Sequence, residues 1–341
     1  PTCRWLPIIF ALGFTQLASP ALSITQVENG RPRACLVLAP GAYERVVDAK
    51  PKGRRPAAVD PLTTERRAAR ELQEHLRRIS GATLEIVQLD AVPDDCIPIF
   101  LGSAADAGLD ETIRRQGDDP SSFVLRVEEK SVAIRGLSPE GTLFGAYEAL
   151  EQLGVRWFMP GELGLVLPQS QTVELREQLT VQVPSFAARH LQDVRAPEWE
   201  SRMRLAGLHF PAAHGVRGFS HGGSQPLFDQ HPEYFSLIDG QRKPRQLCVS
   251  NPDVVARAVQ ATREYFRENP QAEIMGIGAN DGRGFCECAE CSALDGDDYD
   301  PFGHYPSMTD RYVWFFNQVL EGISEEFPDK RLGFYAYSVY N

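Results

Sequence analysis

The chain has 341 residues, room for two domains at about 150 residues each. Hydrophobic residues make up 43% and charged residues 24%, a globular balance that excludes disorder along the whole length. Lys and Arg total 35 against 46 Asp and Glu, and the net charge of -11 comes without a basic block. Nucleic acid, which needs Lys/Arg clustered against phosphate, is therefore not an expected partner.

The N-terminus bears on the compartment. Arg4 precedes an apolar run over residues 5–18 (WLPIIFALGFTQLA), too short and too interrupted to span a bilayer. Small residues follow at Ala18, Ser19, Ala21 and Ser23. The pattern predicts a signal peptide over 1–23; the other reading is a buried N-terminal strand or helix. No later segment is apolar enough to cross a membrane, so the mature chain is expected to be secreted or periplasmic. Removing Cys3 leaves Cys35, Cys96, Cys248, Cys286, Cys288 and Cys291, an even set that an oxidising compartment allows to pair.

Residues 24–183 read as a small α/β domain. The runs 34–38 (ACLVL) and 97–101 (IPIFL) are buried-strand candidates. Between them a helix starts near Thr63 or Thr64, carries Ala69, Leu72, Leu76 and Ile79 at helical spacing, and ends at Gly81. Residues 123–127 and 131–135 bracket a hairpin turn. A second helix from Pro139 to Leu153 buries Leu143, Phe144, Tyr147 and Leu150, and Gly154 stops it. The expected arrangement is a small sheet with helices on one face.

Pro184 marks the predicted boundary. Residues 186–194 read as a strand, 234–238 as a short strand ending in the turn Asp239-Gly240, and 272–279 and 331–337 as further strands. Helices are expected from Asn251, with Pro252 at the first position, and over 308–327. The strand–helix alternation points to a parallel sheet, with a (β/α)8 barrel as the leading form. Four or five strands after Pro184 fall short of such a barrel, which needs about 250 residues. Residues 184–341 are accordingly read as the N-terminal part of a truncated barrel in a longer protein.

Chemistry-bearing residues concentrate in this half. Asn280-Asp281 follows the strand 272–279, where a barrel carries its active site; Asp281 can act as acid or base and Asn280 can bond a substrate amide. Asn-Asp-Gly is also turn chemistry in its own right. Cys286, Cys288 and Cys291 form a C-x-C-x-x-C cluster that can hold zinc with Cys248 as fourth ligand, or form two disulfides. Export favours disulfides, so no metal and no cofactor is expected. Among His209, His214, His221 and His231, His221 is the most site-like, beside Gly222-Gly223. Arg189 can clamp hydroxyls with its donor fork. Trp199, Trp157, Tyr335 and Tyr337 can stack on sugar faces, or simply fill core. No phosphate loop, dinucleotide fingerprint or G-x-S-x-G elbow is present.

The stretches 218–254 (GFSHGGSQPLFDQHPEYFSLIDGQRKPRQLCVSNPDV) and 278–291 (GANDGRGFCECAEC) resemble the bacterial domain of unknown function 4838 family, which is linked to glycoside hydrolase family 163. The His-Pro-Glu-Tyr-Phe block, the Asp-Gly turn, Cys248 and the Asn-Asp…Cys-x-Cys-x-x-Cys block carry the match. Residues 68–86 and 140–164 resemble the α/β domain that precedes the barrel in hexosaminidases and α-glucuronidases. The resemblance implies a secreted glycoside hydrolase acting on a glycan or glycoprotein. It implies β-N-acetylglucosaminidase chemistry of the retaining kind, assisted by the substrate's own acetamido group. Asn280 would orient that amide, and Asp281 would serve as the acid or as the amide's partner. Hexosaminidases often have Asp-Glu here, so a Glu such as Glu233, or one on a strand outside this chain, is an alternative acid. Arg189 matches an arginine that hexosaminidases use on ring hydroxyls. The rival reading is a non-catalytic carbohydrate-binding protein on a degenerate barrel; a third is a zinc protein.

Overall fold

The computed structural model describes residues 23–44, 61–191, 194–208, 213–219, 225–300 and 305–336. The predicted signal peptide, apart from Ser23, lies outside the described residues, as do His209, His221 and Tyr337. The fold is mixed α/β, and the chain divides into two compact units. Among the described residues, the first holds those of 23–187 and 194–207, and the second those of 188–191 and 208–336. Segment 194–207, beyond Pro184, belongs with the first unit.

In the first unit β1 (Ser23–Glu28) lies apart from a six-stranded sheet. That sheet comprises β2 (Ala34–Leu38), β3 (Ile86–Gln88), β4 (Ile97–Leu101), β5 (Phe123–Glu128), β6 (Ser131–Gly136) and β8 (Gln178–Gln182), ordered β8-β5-β6-β4-β2-β3. The strand β7 (Val173–Arg176) pairs antiparallel with β1. Strands β3, β2, β4 and β6 run parallel, while β5 and β8 are antiparallel additions. Period-2 alternation sets the faces. Phe123, Leu125, Val127, Val132 and Ile134 meet the main core, whereas Val124 and Ala133 join a smaller cluster with Leu109 and Ile113.

Two helices, α1 (Pro61–Ser80) and α2 (Pro139–Gln152), cover the main face. The stripe Ala69, Leu72, Leu76 and Ile79 is buried, as its spacing requires. Ser138 caps α2 by accepting from the Gly141 N–H at 3.2 Å, and Pro139 fits the first helical position. Helices are not confined to one face, since the short helix Leu109–Arg114 packs on the other. Cys35 and Cys96 form a disulfide between neighbouring strand starts.

His75 of α1 is only 3% exposed, and its ring meets Trp157 edge-on at 5.4 Å. Its Nδ1 lies 2.8 Å from the Glu71 carbonyl and 3.6 Å from the Glu71 carboxylate. Burial holds the imidazole below its ordinary value, against the pull of Glu71, with Arg202 and Arg78 adding to the depression. Between that depressed value and about 6.5, the unfolded chain binds more protons than the folded one. Stability is therefore lost as pH falls from about 6.5 through this window. In denaturant melts at pH 7 and 5, His75→Leu is expected to flatten the pH dependence of the first unit. An unchanged pH profile in the variant would contradict this role for His75.

In the second unit, β9 (Phe235–Ile238) and β10 (Gln241–Leu247) form a hairpin through Asp239 (φ 51°) and Gly240 (φ 72°). Two positive φ values in a row make the primed turn that suits strand twist. The helix α4 (Pro252–Glu268) begins where the sequence places it: the Asn251 side chain accepts from the Asp253 N–H at 2.8 Å. β11 (Ile274–Gly276) pairs in parallel with β12 (Arg331–Gly333), and α5 (Thr309–Ser324) connects them while packing on α4. A (β/α)8 barrel is not what the described residues show, because β11 and β12 are their one parallel pair here. The strand expected at 186–194 is absent from its described residues: Ala188 makes a single bridge, and Phe186 is 74% exposed. No described helix is long and apolar enough to cross a membrane.

Candidate functional site

The site grows from the carboxyl end of β11. Extended pairing continues past the strand: the Ile277 N–H donates to Gly333 O at 2.9 Å, and the Gly215 N–H to Ala279 O at 2.9 Å. Asn280 and Asp281 come next, at the end of a parallel strand where open and closed α/β sheets place ligands. Gln246, 1% exposed, fixes the turn. It accepts from the Asn280 N–H at 2.9 Å and donates to the carbonyls of Asn280 and Gly282 at 2.7 and 3.1 Å. The Asn280 Nδ2 donates to Arg245 O at 2.6 Å, which ties the side chain to the hairpin. The Asp281 side chain is exposed.

Two rings stand at the same end. Tyr335 lies two residues beyond β12, and its ring meets that of His214 at 4.9 Å, tilted by 32°. His214 precedes Gly215, which bonds to the Gly278 and Ala279 backbone.

The other sequence candidates separate. Glu233 accompanies His231, whose Nδ1 is 3.0 Å from the Glu233 carboxylate and whose ring stacks on Tyr234 at 4.5 Å. A backbone hydrogen bond within Glu233, then the His231 contact, hold the exposed Glu233 carboxyl below the usual range. That is the wrong direction for a group that must donate a proton near neutrality. Arg189 is half-buried just after the Ala188 bridge, in no strand. Trp199 belongs to the first unit, in α3 (Pro197–Arg202). Its Nε1 donates to Trp157 O at 2.9 Å and its ring packs against that unit's core, a structural role.

The four cysteines do not pair. Cys248, Cys286, Cys288 and Cys291 are free thiols, all buried, with sulfurs within 4.8 Å of one another. The Cys248 Sγ is 3.7 Å from that of Cys288 and 3.9 Å from that of Cys291. This corrects the expectation of two disulfides: four sulfurs surround one point instead of forming two bonded pairs. Cys248 follows β10 directly, and its N–H donates to Tyr234 O at 2.9 Å. The loop bearing the other three is stitched to the hairpin by the Glu287 N–H to Leu237 O at 2.8 Å. Cys288 caps the short helix Ala289–Ser292 through its sulfur. Hydrogen bonds from Cys286 and Cys291 pull the Cys248 thiol well below its ordinary value, while Cys248 pushes Cys286 and Cys291 up.

Residues 159–341 match the family described as Domain of unknown function (DUF4838). The chain belongs to this family. No curated protein matches the DUF4838 chain in sequence. Among solved structures it is similar to a family GH115 4-O-methyl-α-glucuronidase with specificity for decorated arabinogalactans (13% identity, TM-score 0.38, covering 89% of this chain and 41% of that one). It is similar to the Flavobacterium johnsoniae chitobiase (12%, 0.39, 92% and 51%). It is also similar to the GH20 β-N-acetylhexosaminidase of Streptomyces coelicolor A3(2) (12%, 0.40, 92% and 64%). The DUF4838 chain spans less than two thirds of the length of each.

Proposed function

We propose that the protein carrying this chain is an exported glycoside hydrolase that cleaves β-N-acetylglucosaminides in glycans by a retaining, substrate-assisted route. The observation that carries the reading is Asn280-Asp281 held at the carboxyl end of a parallel strand, with the His214–Tyr335 ring pair at the same end. The motif resemblance over 218–254 and 278–291 supports it from the sequence side. Glycoside cleavage needs a proton donor and negative charge at an oxocarbenium-like centre. An acetamido oxygen supplied by the substrate leaves the protein one acid to provide. Asp281 is that acid here, and Tyr335 offers an aromatic face to the sugar. The barrel that would complete such a site belongs to the same proposal.

The test uses the full-length protein on N-glycoproteins and small N-acetylglucosaminides, with products read by mass spectrometry. Asp281→Ala is expected to reduce release by about 100-fold or more. Undiminished release would move the acid elsewhere. Sugar binding without product from the parent would favour a carbohydrate-binding module instead.

A further inference from the structure

We propose that Cys248, Cys286, Cys288 and Cys291 bind one zinc ion as a closed tetrathiolate site that fastens the loop after β11 to the β9–β10 hairpin. The inference does not depend on the glycosidase reading.

Geometry comes first. Tetrahedral zinc with Zn–S bonds of about 2.3 Å sets its sulfurs about 3.8 Å apart along each edge. The Cys248–Cys288 and Cys248–Cys291 separations, 3.7 and 3.9 Å, lie on either side of that edge. All four sulfurs fit within 4.8 Å, and none is bonded to another. Four soft donors without a carboxylate select zinc over magnesium or calcium. With every position filled by protein, no place remains for water or substrate, so the ion is structural.

The surroundings suit coordinated thiolates, whose spare lone pairs need donors. The Leu237 N–H points at the Cys286 Sγ at 3.3 Å, and the Cys291 N–H at the Cys288 Sγ at 3.4 Å. The Ser250 Oγ lies 3.1 Å from the Cys291 Sγ. Four thiolates on one divalent cation leave two negative charges, and the Arg242 guanidinium, 4.0 Å from the Cys286 Sγ, offsets part of this. Behind the loop, the buried Arg311 donates to Cys286 O at 2.7 Å. Two distant stretches of chain, the end of β10 and the 286–291 loop, thereby meet at one ion. The ion fixes the base of the loop whose other end is Asn280-Asp281.

The measurement is metal content of the full-length protein, purified without chelator, by plasma mass spectrometry. About one zinc per chain is expected, released in step with four thiols when a mercurial titrates them. Cys248→Ser is expected to lower zinc to below about one tenth per chain. Because that variant can misfold, cobalt is also loaded into chelator-stripped parent protein. Strong thiolate-to-cobalt and tetrahedral ligand-field bands, bleached by zinc, are expected. Zinc-free parent protein whose four thiols become titratable only after reduction would overturn the proposal in favour of disulfides. Stoichiometric iron, or cobalt without thiolate bands, would overturn it as well.

Discussion

Arg311→Met is expected to destabilise the second unit by about 3 kcal/mol, the lower end of the cost of breaking a buried ion pair. The Arg311 residue is 2% exposed. Its Nε donates to one Asp295 oxygen at 2.8 Å, Nη2 to the other at 2.5 Å, and Nη1 to the Cys286 carbonyl at 2.7 Å. Methionine keeps much of the volume and removes every donor. The mostly buried Asp295 carboxylate and the Cys286 carbonyl then lose partners they cannot replace with water. Arg311→Lys keeps the charge but not the planar fork, so an intermediate loss is expected. Pairing Arg311→Met with Asp295→Asn removes the orphaned charge, and the double variant should lose less than the sum of the singles. Chemical denaturation of the four proteins measures this. Strict additivity would mean that the two groups do not act as a pair.

Much of the first unit was legible because burial there follows short, strong periods. The run 34–38 is buried at every position, and the hairpin 123–136 alternates between two cores. Capping chemistry made the start of α4 readable from Asn251-Pro252-Asp253 alone. The failures share a physical origin in partners distant along the chain. β10 reads QRKPRQL, and only Gln246 and Leu247 are buried, so hydrophobicity signals a loop; pairing with β9 makes it a strand. Segment 194–207 follows a proline boundary, yet Arg202 bonds Glu71, Arg204 bonds Glu148 and Glu151, and Trp199 bonds Trp157. Local pattern carries none of those pairings.

The site was legible by residue type more than by role. Strand-end placement brought out Asn280-Asp281, and C-x-C-x-x-C with Cys248 brought out the sulfur donors. Spacing alone could not choose between disulfides and a single centre, because that choice depends on where the end of β10 meets the loop. Glu233 has the residue type of an acid, but the His231 ring beside its carboxylate helps hold it in the charged form. Tyr335 and His214 were candidates only as members of their residue types; the pairing of Gly215 with residues 278–279 is what brings His214 to the strand end. Gln246 and Arg311, which hold the two ends of the loop, carry no sequence signal, since a buried Gln or Arg looks like any surface one in a linear string.

Gln246→Leu is expected to cost about 3 kcal/mol or more, with its effect concentrated in the turn at 280–282. The amide occupies a buried position and serves three backbone groups: it accepts from the Asn280 N–H and donates to the Asn280 and Gly282 carbonyls. Leucine is close in size and can bond to none of them. A buried donor or acceptor left without a partner costs about 1–3 kcal/mol, and three are stranded unless the turn opens to water. Opening is the cheaper response, because Asp281 and Gly282 are already exposed. The variant should therefore fold, with accelerated hydrogen exchange at the amides of 280–283 and unchanged exchange in β2 and β4 of the first unit. Gln246→Glu separates the two halves of the role. Its carboxylate can still accept from the Asn280 N–H but faces two carbonyl oxygens, so it should open the turn at neutral pH and recover protection as pH falls and the carboxyl gains a proton. Unchanged exchange at 280–283 in Gln246→Leu would mean that the turn is held by the loop around Cys286 and not by this amide.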